Sequence, residues 1–206
     1  MSATPIQETA APVRKAIEPV SMTLYDADFQ AFADRLGESF KRYGFAVIAD
    51  HGLDERVIDA AVDAAKTFFA LPEETKRRYH QPGTGGARGL TPFGVEAAKG
   101  AATVDLKEFW HVGRELPVGH PYRQYMRDNV WPTEVEGFRP YLYGMFAAMD
   151  ELGAKILRAI ARYLKLGDGF FEDKVEMGNS ILRRADFPVH PSARTGVAPW
   201  GKQNSK

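Results

Sequence analysis

The sequence predicts a mixed α/β fold of the α+β type, rich in helix and sparing in strand. Three observations predict it. Apolar residues recur at helical spacing in several stretches, most clearly from Phe138 through Leu142, Met145, Met149, Leu152 and Ile156. Short apolar or alternating runs at 45–49, 105–112 and from Ser180 onward read as strands. Glycine and proline gather in 81–100, which reads as one long irregular loop of the kind that usually carries a function.

In chain order, residues 1–20 are polar and Pro/Ala-rich, with Pro5, Pro12 and Pro19 scattered through them, and read as a flexible lead-in. Asp26 or Asp28 can cap a helix that places Phe29, Phe32, Leu36 and Phe40 on one face and stops at Gly44. Residues 45–49 (Phe-Ala-Val-Ile-Ala) follow as a short buried strand, then a turn at Asp50-His51-Gly52. A second helix is expected from about Asp54 to Phe69, with Val57, Ala61, Ala64, Ala65 and Phe68 facing inward. Pro72 suits the first turn of a short charged helix.

Beyond the loop, the aromatic residues of 105–112 favour a strand. A long amphipathic element opens near Glu134; Pro140 is tolerable only in a first turn, so the regular helix is expected to begin near Pro140, and its stripe to Leu164 is read as core. Gly167-Asp168-Gly169 breaks it, and one or two further turns lead to a strand opening at Ser180-Ile181-Leu182-Arg183. Residues 184–206 hold Pro188, Pro191, Pro199, Gly196 and Gly201 with almost no apolar period, so the strand is not expected to continue and the tail is expected to be disordered or aberrant.

Bulk properties exclude several classes of function. The 206 residues carry 27 Lys+Arg against 27 Asp+Glu, so no field gathers nucleic acid or anionic lipid. The absence of cysteine removes disulfides, thiolate nucleophiles and cluster ligation. Neither a signal-peptide core nor an apolar run of membrane length is present, and the expected address is the cytoplasm. The run Gly83-Thr84-Gly85-Gly86-Ala87-Arg88-Gly89 fails as a dinucleotide fingerprint because Arg88 stands at the third glycine. A nucleophile elbow of G-x-S-x-G form is also missing.

The five histidines, His51, His80, His111, His120 and His190, lie far apart, and none is followed two residues later by Asp or Glu. That spacing would put two ligands of an iron facial triad on one strand. His51–Glu55 and His111–Glu115 are four apart but do not share a helix in this reading, so neither is taken as a ligand pair.

The order of motifs resembles a known family. Tyr43-Gly44-Phe45-Ala46-Val47-Ile48-Ala49-Asp50-His51-Gly52-Leu53 resembles the "GFF-V-x-NHG-I" stretch of the non-haem dioxygenase N-terminal region. Phe68-Phe69-Ala70-Leu71-Pro72-Glu73-Glu74-Thr75-Lys76 is similar to its "FF-x-LP-x-E-x-K" junction. Arg88-Gly89-Leu90-Thr91-Pro92-Phe93-Gly94-Val95-Glu96 is similar to its "RGY-x-P-x-G-x-E" loop, with Leu90 for tyrosine. Asp105-Leu106-Lys107-Glu108-Phe109, similar to its "D-x-KE-x-F" stretch, and Trp131-Pro132, followed by the long helix, complete the series. Each motif is weak alone; five in order identify the chain with the isopenicillin-N-synthase-like Fe(II)/2-oxoglutarate oxygenases.

The resemblance implies the helix-rich N-terminal region of a double-stranded β-helix (jelly-roll) oxygenase with its β-core largely missing. The front region would cover 21–116, and 117–183 would hold the long helix and the start of the core. Fe(II), held by His-x-Asp and a later His, and 2-oxoglutarate, held by Arg-x-Ser, are implied for a complete member acting on a small molecule. Those motifs are absent from this sequence. The chain is therefore expected to bind neither group, to be truncated or frame-shifted, and to be inactive alone. A non-catalytic protein-binding module is the alternative, and oligomeric state is left open.

By the same resemblance, the glycine-rich loop reaches over the active-site mouth. Arg88 there could pair with a substrate carboxylate or simply be solvated. Glu96 and Glu108 occupy matching motif positions. A structural role is the preferred reading of both, with Glu108 balancing Lys107 on a strand edge, and Glu96 is kept beside Arg88 as a substrate-binding candidate. His51, Trp110 and Tyr163 are read as structural.

Overall fold

A computed structural model describes residues 16–83, 87–97 and 105–187. The chain divides into two compact units. The first comprises the described residues up to Gly52 together with Ile156–Phe170. In it β1 (Val20–Ser21) pairs in parallel with β2 (Ile48–Ala49). Helix α1 (Met22–Ala27) is capped by the Ser21 hydroxyl, and α2 (Phe29–Tyr43) by the Asp28 carboxylate, which accepts from the Ala31 N–H at 2.9 Å. Gly44, at φ 80°, ends α2 in the left-handed conformation that glycine adopts freely. Phe32, Ala33 and Leu36 are fully buried along the inner face of α2. The Tyr163 hydroxyl donates to Glu38 at 2.7 Å.

The second unit comprises Leu53–Lys155 and the chain from Phe171 onward. Asp54 caps α3 (Glu55–Phe69), and α4 (Glu73–Arg77) follows. Three strands, β3 (Gly89–Thr91), β4 (Glu108–Gly113) and β5 (Ile181–Asp186), form an antiparallel sheet in that order, with β4 central. The long helix α5 (Phe138–Tyr163) gives its first turns to this unit, and α6 (Glu172–Val175) is a single turn.

Side chains alternate across the sheet. Trp110 and Val112 of β4 and Leu90 of β3 enter a core with Ala61, Ala65, Phe68, Phe138 and Leu142. Its centre is aromatic: Phe68 and Trp110 have ring centroids 4.6 Å apart, and Trp110 and Phe138 4.9 Å, both edge to face.

Several expectations are corrected. The strand expected over 45–49 is reduced to Ile48–Ala49, because its partner β1 supplies only two residues. Phe45 and Val47 are accordingly 51% and 42% exposed. Within the expected loop 81–100, Gly89–Thr91 is a wholly buried strand, too short to show a period and made by pairing with β4. The strand opening at Ser180 does continue: β5 runs through Asp186, its two arginines placed on opposite faces by alternation. Helix α5 starts at Phe138, with Pro140 in its first turn, as the proline requires.

The α5 stripe is fully buried only at its front and half-buried at Leu152, Ile156 and Ile160. Phe138 and Leu142 are buried, whereas Met149 is 44% exposed and Leu164 lies beyond the helix end. Val57, in the first turn of α3, is exposed, and Pro72 caps α4 instead of entering it. Most of the expected lead-in (1–15) and of the expected tail (188–206) lies outside the described residues. Among the described residues no helix is long and apolar enough to cross a membrane.

Candidate functional site

The alternation that sends Trp110 into the core sends Phe109 and His111 to the opposite face of the sheet. There the β4–β5 register sets His111 across from Arg183, and the β3–β4 register sets Thr91 across from Phe109. A hollow of about 340 Å³ opens on this face, lined by residues 80–83 together with Thr91, Val95, Glu96, His111 and Arg183.

Two contacts fix the wall. Arg183 lays its guanidinium over the Phe109 ring, 4.7 Å from the centroid, and donates from Nε to His111 Nε2 at 2.7 Å. Its Nη1 lies 3.8 Å from Glu96 Oε1, a loose ion pair. Arginine can only donate, so His111 Nε2 must be the bare, accepting nitrogen and the ring proton of the neutral imidazole sits on Nδ1. Burial, followed by the charges of Arg183 and Arg88, pushes the His111 pKa down to about 4, so the ring is neutral near pH 7. His80 is oriented by the contact of its Nδ1 with the Leu90 carbonyl at 3.0 Å.

Three buried polar atoms of this wall have no hydrogen-bond partner among the described residues: His111 Nδ1, Thr91 Oγ1 and Glu96 Oε2. Their residues line one hollow. A buried unpaired donor or acceptor costs about 1–3 kcal/mol, so these three atoms leave the wall with polar groups unmet within the described residues.

The two expected substrate-binding residues part company. Glu96 lines the hollow. Arg88 does not; it is 1% exposed, donating to the Ala87 carbonyl at 2.6 Å and reaching Asn179 Oδ1 at 3.4 Å. A solvated Arg88 is therefore excluded, and burial lowers its pKa. Its guanidinium crosses β4 at Gly113, where a Cβ would lie 2.0 Å from Arg88 Cζ, so only glycine leaves room.

Glu108 is corrected too. It is not a strand-edge charge but a buried group on the core side, accepting from Lys76 Nζ at 2.5 Å, with burial raising its pKa against the pull of Lys76. Lys107 pairs instead with Asp105 at 2.8 Å. Trp110 packs as expected.

Sequence reasoning misses His111, Arg183 and Thr91 as site residues. Strand alternation at 105–112 is the signal that could place His111 on the face opposite Trp110. Nothing local pairs it with Arg183.

The implied Fe(II) does not fit the described residues. Among them no group of three His, Asp or Glu side chains is placed to hold a metal ion. His80 and His111 are the histidines at the hollow, with Glu96 already engaged by Arg183.

Comparison with known proteins agrees with the motif order. Residues 17–134 match the family described as non-haem dioxygenase in morphine synthesis N-terminal. Proline hydroxylase buaE of Petromyces alliaceus is 32% identical over 78% of this chain and 50% of its own length. The 2-oxoglutarate-Fe(II) type oxidoreductase hxnY of Emericella nidulans is 29% identical over 75% of this chain and 46% of its own. The chain thus spans about half the length of the curated relatives it matches.

A crystal structure of a 2OG-Fe(II) oxygenase family protein from Caulobacter crescentus superposes with a TM-score of 0.79 at 55% identity, covering 86% of this chain and 58% of that one. A full-length Neurospora crassa protein, solved in complex with alpha-KG, shares the fold with a TM-score of 0.71 at 23% identity, over 87% and 57% of the two chains. With more than half of its residues matched in the order the motifs require, the chain belongs to the non-haem dioxygenase N-terminal family of the 2-oxoglutarate–Fe(II) oxygenases.

Proposed function

We propose that this chain carries the substrate-facing wall of an Fe(II)/2-oxoglutarate-dependent oxygenase that acts on a small molecule. The observation that carries the reading is the hollow on the outer face of the β3–β4–β5 sheet, where His111, Thr91 and Glu96 each hold a buried polar atom without a partner. Bound iron would supply oxygen activation. The residues of this chain would bind and orient the substrate: Arg183 holds the His111 tautomer, and Phe109 supports Arg183 from below. In this reading the iron ligands and the 2-oxoglutarate anchor come from a segment like the second half of the relatives, whose motifs this sequence does not contain.

The decisive experiment is to sequence the gene across codon 183 and translate the following DNA in all three frames. A frame encoding His-x-Asp, a later His and Arg-x-Ser supports the oxygenase reading. Their absence from every frame would overturn it. The 206-residue chain alone is expected to take up no stoichiometric Fe(II) in an anaerobic titration and to form no succinate from 2-oxoglutarate. Tight one-to-one binding of iron would refute the assignment of the ligands to another segment.

A binding module without catalysis is the competing reading, favoured by the exposed apolar positions Met149 on α5 and Ile181 on β5. A soluble monomer with one cooperative melt supports the module. Aggregation with strong dye binding supports an oxygenase region lacking its cover.

A further inference from the structure

The unpartnered atoms of the hollow are not all alike. His111 Nδ1 carries the ring proton and can only donate, because Nε2 accepts from Arg183. Thr91 Oγ1 can donate or accept. Glu96 Oε2 can only accept while the carboxylate is ionised. His111 and Thr91 are 3% and 7% exposed, so their free polar atoms have little recourse to bulk water. The charges in the wall nearly cancel: Arg183 faces Glu96 at 3.8 Å, and burial keeps His111 neutral. An anionic ligand would have to compete with Glu96 for Arg183, and a cationic one with Arg183 for Glu96. A neutral ligand that brings both an acceptor and a donor satisfies the wall without unpairing that couple.

We propose that this hollow recognises the amide edge of a small uncharged molecule, its carbonyl oxygen accepting from His111 Nδ1 and Thr91 and its N–H donating to Glu96. The proposal deepens the oxygenase reading by naming the substrate class, and it rests on that reading only for the chemistry that follows binding. His111 and Glu96 are then the residues that set specificity, one for the carbonyl and one for the N–H, and Arg183 positions His111. A ketone or an N-alkylated amide would leave the Glu96 acceptor buried and unmet.

The test uses the full chain and three probes of similar size: 2-piperidone, N-methyl-2-piperidone and glutarate. Binding is followed by NMR of the histidine ring nitrogens and by titration. 2-Piperidone is expected to shift the His111 Nδ1 resonance and to bind roughly tenfold or more tighter than its N-methyl form, as the loss of a hydrogen bond to a charged group implies. Glu96→Met should erase that preference while retaining N-methyl-2-piperidone binding. Thr91→Val, which preserves shape, should weaken both lactams alike.

Equal affinity of the two lactams for the wild-type chain overturns the proposal without recourse to any variant. So does tighter binding of glutarate, or lactam binding that leaves the His111 signals unmoved. Lactam recognition with no oxygenase motifs in any downstream frame would uphold this site and remove the oxygenase reading. Those motifs without lactam selectivity would do the reverse.

Discussion

Acidification should expose the burial of His111 as a loss of stability that one substitution removes. The ring is 3% exposed, its Nε2 accepts from Arg183, and its pKa falls from 6.5 to about 4. As pH falls through 6.5 the unfolded chain takes up a proton at this histidine, while the folded chain resists until about pH 4. The unfolded state therefore binds more protons in that window, and stability falls with pH. The contribution of neutral His111 is complete above about pH 6.5 and is lost progressively toward pH 4. At 1.36 kcal/mol per pH unit the gap amounts to roughly 3 kcal/mol.

The assay is urea unfolding at steps between about pH 7.5 and 4, followed by the fluorescence of buried Trp110, for wild type and His111→Gln. Glutamine can still accept from Arg183 but does not titrate. The raised Glu108 carboxyl and other acids are common to both proteins and cancel in the difference. Wild type should lose about 3 kcal/mol more than the variant across the window. Parallel curves would show that His111 titrates as it does in the unfolded chain, which would refute both its burial and its neutral tautomer.

Two further outcomes follow from the same structure. Lys76→Met leaves Glu108 buried without its cation and should destabilise the chain by about 3–5 kcal/mol in denaturant unfolding, with Glu108→Gln restoring much of it in the double variant. Gly113→Ala drives a Cβ into the Arg88 guanidinium and should cost about 1–3 kcal/mol, and a melting curve for the added Arg88→Ala change should show partial recovery.

The sequence discloses elements whose signal is local. Asp28 and Asp54 cap α2 and α3 as their spacing before apolar stripes requires, and α5 is plain from its own period. What it conceals is written in pairings between distant segments. Gly89–Thr91 is three residues between a glycine-rich run and a proline, and becomes a strand only against β4. Arg184, Ala185 and Asp186 read as the start of a disordered tail until β4 pairs with them. At the site, Glu96 is legible because it sits in a motif. His111 escapes notice because its sequence neighbours make no ligand pair, and its actual partner is supplied by another strand. Glu108 misleads for the same reason: Lys107 is adjacent in sequence, but Lys76 is the cation beside it in space.

The central position of β4 also has a consequence for synthesis. Its partner β5 follows only after the whole of α5, and His111 and Arg183 are 72 residues apart. At about 5–20 residues per second the ribosome takes roughly 4–14 s to cover that distance. For those seconds one edge of β4 presents its backbone N–H and C=O groups with no β5 to receive them, while β3 is already made. The nascent chain thus passes through a stage in which a two-stranded ribbon, Phe109 and His111 on its bare side, is open to another strand or to a chaperone.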